Sequence, residues 1–101
     1  MKKVLCIGSV TTDVIIMPAD SVPAAGTLRA VDSVTVHVGG CAANAAIDLA
    51  RLGVPVILSC KVGRDNFGDF VKSTAEKDGV DIRGVIQDGS VSTTTSVVCV
   101  S

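Results

Sequence analysis

The chain has 101 residues, a formal net charge of −1 and 48% hydrophobic residues, a balance that argues for a folded core and against a disordered tail or a polyanion-binding surface. Its nine basic residues are scattered, and two Phe with no Trp or Tyr form no platform for stacking bases, so nucleic acid is not the expected partner. No apolar run nears the roughly 18 residues of a spanning helix, and with Met1-Lys2-Lys3 leading directly into a strand-like segment the expected compartment is the cytoplasm.

Residues 3 to 9 form a continuous apolar run, the pattern of a strand buried on both faces. Asp13 follows within a few residues, near the carboxyl edge of the sheet, where α/β folds bind ligands. A carboxylate there can accept hydrogen bonds from two vicinal hydroxyls; Thr11-Thr12-Asp13 is equally compatible with an aspartate that caps a turn. Pro18 to Gly26 is turn-rich. Leu28 to Ala30 and Val34 to Val38 read as short strands around Asp32-Ser33. Val34, Val36 and Val38 share one face, with Thr35 and His37 on the other, as in a sheet exposed on one side. His37 is expected to be a solvated surface residue.

The stretch Gly39-Gly40-Cys41-Ala42-Ala43-Asn44-Ala45-Ala46 reads as a substrate cradle. Two glycines let backbone amides approach a ligand, and the helix they open turns free N–H groups and a positive dipole end toward it. The same glycines also suit a tight strand-to-helix turn with positive φ. Asn44, one turn into a helix of alanines and aliphatics, needs a polar partner: a substrate hydroxyl, the backbone, or Asp48 one turn on.

The helix is expected over 41–52, ended by Gly53 with Pro55 beyond, and the next buried strand over 56–60. Gly63-x-Asp65-x-x-Gly68 lacks the lysine and Ser/Thr of a Walker loop, and Asp65 or Asn66 is better read as the cap of a second helix over 67–77, ended near Gly79. Val85 to Gln87 and Thr94 to Val100 are further strands, separated by the Asp88-Gly89-Ser90 turn. Alternating strands and helices imply an α/β fold with a largely parallel sheet. No repeat or charge block marks an internal boundary. Cys6, Cys60 and Cys99 lie in apolar runs and are expected to be buried free thiols. Cys41 stands at the helix entrance without a neighbouring base.

The pattern Gly-Gly-x-Ala-x-Asn-x-Ala over Gly39 to Ala46, with Gly53 and Gly63 at their intervals, resembles the N-terminal signature of the PfkB (ribokinase-like) carbohydrate and nucleoside kinases. Val4 to Asp13, Pro23 to Leu28 and Gly63 to Gly68 are similar to family landmarks in the same order. The resemblance spans the chain. It implies a ribokinase-like three-layer α/β sandwich with a mostly parallel central sheet and a small β-sheet lid. Residues 1–101 would be its N-terminal portion, with lid strands at about 27–38 and 94–101.

The activity so implied is ATP-dependent phosphorylation of a sugar or nucleoside hydroxyl. Asp13, Gly39, Gly40 and Asn44 would hold the substrate, and Thr11, Cys41, Ser96 and Val98 would border it. Ribokinases usually carry a lysine where Cys41 stands, which leaves other furanoses, hexoses, keto-acid sugars or nucleosides open. The resemblance places the Gly-Ala-Gly-Asp phosphate site, the catalytic base and most of the ATP and Mg contacts outside these residues, so no catalytic or metal-binding residue is expected here. A monovalent cation stays open. Family lids often pair between subunits, which implies a homodimer through the lid. The alternative is a non-catalytic sugar or nucleoside binder of the same fold. Alone, the 101 residues are expected to be inactive and poorly soluble.

Overall fold

The computed structural model describes Lys2–Ser101; Met1, the start of the expected lead into the first strand, lies outside the described residues. Three strands, β1 (Val4–Ile7), β4 (Val56–Gly63) and β5 (Asp81–Asp88), form a parallel central sheet in the order β1-β4-β5. Three others, β2 (Thr11–Met17), β3 (Ser33–Gly39) and β6 (Thr95–Cys99), form a second sheet in the order β3-β2-β6. It is antiparallel between β2 and β3 and parallel between β2 and β6. Two helices complete the chain, α1 (Cys41–Arg51) and α2 (Asn66–Lys77).

Both helices connect neighbouring parallel strands that run the same way, and right-handed crossovers place such helices on one face of the sheet. The core lies there: Ala43 and Ala46 of α1 and Val71 and Ala75 of α2 pack with Leu58 and Val62 of β4 and Val85 of β5. Leu58 has no exposed surface. Small alanines let α1 lie close to the strands. The helices end where the sequence indicates, with the Gly53 amide donating to the Ala50 carbonyl and the Gly79 amide to that of Glu76.

Several expectations are corrected. The run 3–9 was expected to be buried on both faces, yet Leu5 and Ile7 are 56% and 71% exposed. With both helices on one side, these described residues put nothing over the other. Leu28–Ala30 forms no strand, and Leu28 is fully exposed. A strand needs a ladder partner, and 28–30 pairs with none, the second sheet ending at β3 on one side and β6 on the other. The second sheet instead gains β2, whose residues 14–17 carried no strand assignment in the sequence.

Nor is only one side of the second sheet exposed, because Val34 and Val36 on its valine face are 58% and 37% exposed. Cys6 and Cys60 are half-buried against the core, and burial pushes the Cys60 thiol up. Cys99, expected to be buried, is exposed because edge strand β6 has little packed against it. The radius of gyration, 15.6 Å, exceeds the about 13 Å of a compact domain of this length, as a sheet projecting from a body requires. Among the described residues no helix is long and apolar enough to cross a membrane.

Candidate functional site

The site begins on β2. Side chains of paired residues in a sheet share a face, and the register pairs Thr11 with Gly39, Asp13 with both His37 and Ser96, and Ile15 with both Thr35 and Val98. One face of the second sheet therefore carries most of its polar groups, with Thr12 and Thr95 on the other. The half-buried Asp13 carboxylate is fixed there through one oxygen: Oδ1 accepts the Thr11 and Ser96 hydroxyls, each at 2.8 Å. Its Oδ2 has no partner among the described residues. Gly39 is what leaves room for it, since a Cβ at that position would collide with Oδ2 and stand 2.8 Å from the Thr11 hydroxyl oxygen.

Gly40 turns the chain from β3 into α1. It alone of the two glycines adopts positive φ, 94°, and a Cβ there would run into the Ser9 carbonyl, so Gly39 serves space and Gly40 serves conformation. The helix it opens has no side-chain cap and no acidic residue in its first turn, which leaves the positive end of the dipole uncompensated. The amide of Ala42 donates to the Ser9 carbonyl at 3.3 Å. Cys41 occupies the first helical position and is exposed.

Asn44 is exposed one turn in, and among the described residues its side chain bonds neither the backbone nor Asp48. It lines a cavity of about 230 Å³ together with Val36, Val38, Ile47, Phe70 and Thr74, on the valine face of the second sheet and so on the side opposite Asp13. Thr11, Asp13, Ser96 and Gly39 thus come together in direct contact. Val98, 42% exposed, shares their face further along the sheet, and Gly40, Cys41 and Asn44 follow on the adjoining helix start.

His37, set aside from sequence as a surface residue, is exposed but sits on the same face as Asp13, with Nε2 3.2 Å from the Thr35 hydroxyl oxygen. Its even spacing from Gly39 was the signal, legible only once the neighbouring strand was known.

A second polar cluster lies where the sheets meet. Asp65 caps α2 by accepting the Gly68 amide at 2.7 Å, and it also accepts the Thr93 hydroxyl at 2.6 Å and the Thr93 amide at 2.9 Å. The Thr93 hydroxyl in turn accepts the Gly63 amide at 2.9 Å. Hydrogen bonds from Thr93 first, then from Gly68, hold the Asp65 carboxyl below its usual range. The capping role read from sequence falls on Asp65; its grip on Thr93 was not foreseeable across 28 residues.

The sequence profile of the pfkB family carbohydrate kinases matches residues 1–101. A sugar kinase of Pyrococcus horikoshii is 41% identical over 63 residues, 62% of this chain and 20% of that protein. Its crystal structure superposes with a TM-score of 0.75 over 91% of this chain and 30% of its own, at 34% identity. The 5-dehydro-2-deoxygluconokinase of Clostridium perfringens is 46% identical over 46 residues, 46% of this chain and 14% of its own. The ribokinase of Bacillus subtilis is 34% identical over 80 residues, 79% of this chain and 27% of its own. The chain spans under a third of the length of each of these kinases, and its fold, including the parallel central sheet, is the ribokinase-like one they share.

Proposed function

The chain belongs to the pfkB family of carbohydrate kinases, and from that premise we propose that it supplies the sugar-holding and lid-bearing part of an ATP-dependent kinase acting on a sugar or nucleoside hydroxyl. One observation carries the reading: Asp13 is held through Oδ1 by two hydroxyls while Oδ2 stays open over the side-chain-free Gly39. A carboxylate so fixed accepts from a substrate diol without first having to be ordered. The start of α1, which has no side-chain cap, adds a positive dipole end, and Asn44 adds an amide able to give and accept. Thr11 and Ser96 orient Asp13, while Cys41 and Val98 border the substrate. The projecting sheet acts as the lid that excludes water from the transfer.

ATP supplies the phosphoryl group in this family's reaction. Among the described residues no three acidic, His or Cys side chains gather into one group. The names of the relatives favour sugar acids and pentoses as first substrates to try. The face of the lid opposite Asp13 exposes Val34, Val36 and Val97, which supports pairing between two copies, measurable by light scattering.

The test is a phosphorylation and binding screen over sugars, sugar acids and nucleosides with the full protein that carries these residues. Asp13→Ala or Asn44→Ala should raise substrate KM about 10- to 100-fold, the loss of a bond worth about 1 to 3 kcal/mol. Unchanged kinetics in both variants would overturn the site. Binding without phosphoryl transfer would favour a non-catalytic binder.

A further inference from the structure

Capping a helix requires one hydrogen bond from the cap to a first-turn amide, and Asp65 makes that bond to Gly68. Its carboxylate nevertheless takes two more donors, both from Thr93. Thr93 is 5% exposed and precedes Ser96 by three residues. Its hydroxyl donates to Asp65 and accepts from Gly63, so a side chain without it would leave the Gly63 amide unmatched. Gly63 keeps the space clear: a Cβ there would stand 2.6 Å from both Asp65 Oδ2 and the Val91 carbonyl.

The neighbouring strand is tied at the same place. Thr12, fully buried, immediately precedes Asp13, and its hydroxyl donates to the Phe67 carbonyl in the first turn of α2 at 3.4 Å. Its amide donates to the Thr94 carbonyl at 2.9 Å. Both strands that supply the Asp13–Ser96 pair therefore leave the body through bonds to the start of α2.

We infer that Asp65 is a positioning residue, which fastens the root of β6 through Thr93 so that Ser96 holds Asp13 with Oδ2 open. Its consequence for substrate rests on the function proposed above; the fastening of β6 does not.

The test uses the full protein with Thr93→Val, Thr93→Ser and Asp65→Asn. Amide exchange of β6 should quicken about tenfold in Thr93→Val, together with the Gly63 amide that loses its acceptor, while the β4 amides of residues 56–62 stay unchanged, and Thr93→Ser should restore both. Asp65→Asn, which keeps the shape of the cap, should give a smaller change of the same pattern. In turnover, Thr93→Val should raise the sugar KM about fivefold and leave the ATP KM alone, a split that a general loss of stability does not produce. Exchange that stays constant, or quickens equally in β6 and in residues 56–62 of β4, overturns the inference, as does a sugar KM that stays put while Asp13→Ala still raises it; in that last case the proposed function stands. If wild-type protein neither binds nor phosphorylates any sugar or nucleoside, the proposed function and the positioning role fall together, and selective exchange in β6 then reports the fastening alone.

Discussion

The two helices of this chain begin in opposite ways. α1 starts at Gly40 with no side-chain cap and no acid in its first turn, whereas α2 starts at Asp65 with a capping carboxylate and Asp69 in its first turn. Both pack on the same sheet and both end with a basic residue in the last turn, Arg51 or Lys77. Packing alone therefore does not account for the contrast. An uncapped start leaves amides and a positive dipole end for something else to use, while a start sealed by Asp65 and bonded to Thr93 serves to hold another part of the chain. One end is arranged for a ligand and the other for the fold.

The most damaging way to break the comparison is to close the first start. Gly40→Ala places a Cβ against the Ser9 carbonyl at a φ of 94°, and we expect a loss of about 3 kcal/mol or more in denaturant unfolding. Gly68→Ala attacks the second start, where a Cβ would overlap the Gly63 carbonyl and stand 3.0 Å from the Thr93 hydroxyl oxygen. Its expected cost is smaller, about 2 kcal/mol, because Gly68, unlike Gly40, is not at positive φ and adds no backbone strain to the overlap.

Acid should separate the two starts without any substitution. The Asp65 carboxyl is held below its ordinary value of 3.8 in the folded chain, so its contribution is present above that value and is lost as pH falls through the folded one. The same sign applies to Asp88, lowered to about 2 by Ser90 and Lys61, and to Asp81, lowered further by Arg83 and Lys3. Amide exchange followed from pH 5 to pH 2 should show the first turn of α2 opening before that of α1, which has no acidic group to titrate. The smallest effect is the most pointed. Cys41→Asp adds the missing first-turn acid at an exposed position and should raise stability by about 0.5 kcal/mol, measurable as a small rise in Tm, while weakening sugar binding at the same helix end.

How much of this was readable in the sequence depended on how local the cause is. Gly53 and Gly79 end their helices through bonds to residues three positions back, and the capping power of Asp65 reaches only to Gly68; such causes lie within one turn. The Gly-Gly-x-Ala-x-Asn spacing was legible for the same reason. β2 was missed because Thr11-Thr12-Asp13 equally suits a turn, which leaves only the short run Val14 to Met17, and its strand character comes from β3 and β6 on either side. The strand expected at 28–30 failed for want of such a partner. The bond from Ser96 to Asp13 spans 83 residues, and no spacing rule anticipates it.

The sequence by itself determined the alternation of strands and helices, the glycine entry to α1, a cap of α2 at Asp65 or Asn66 and the family, because each follows from backbone conformation or side-chain reach over a few residues. Tertiary structure alone decided that β2 stands at the centre of the second sheet, that these residues leave one face of the central sheet uncovered, and that Asp13 is held by Ser96 and β6 by Asp65. Those outcomes depend on which distant strands find hydrogen-bonding edges free, a competition settled only when the whole chain has folded.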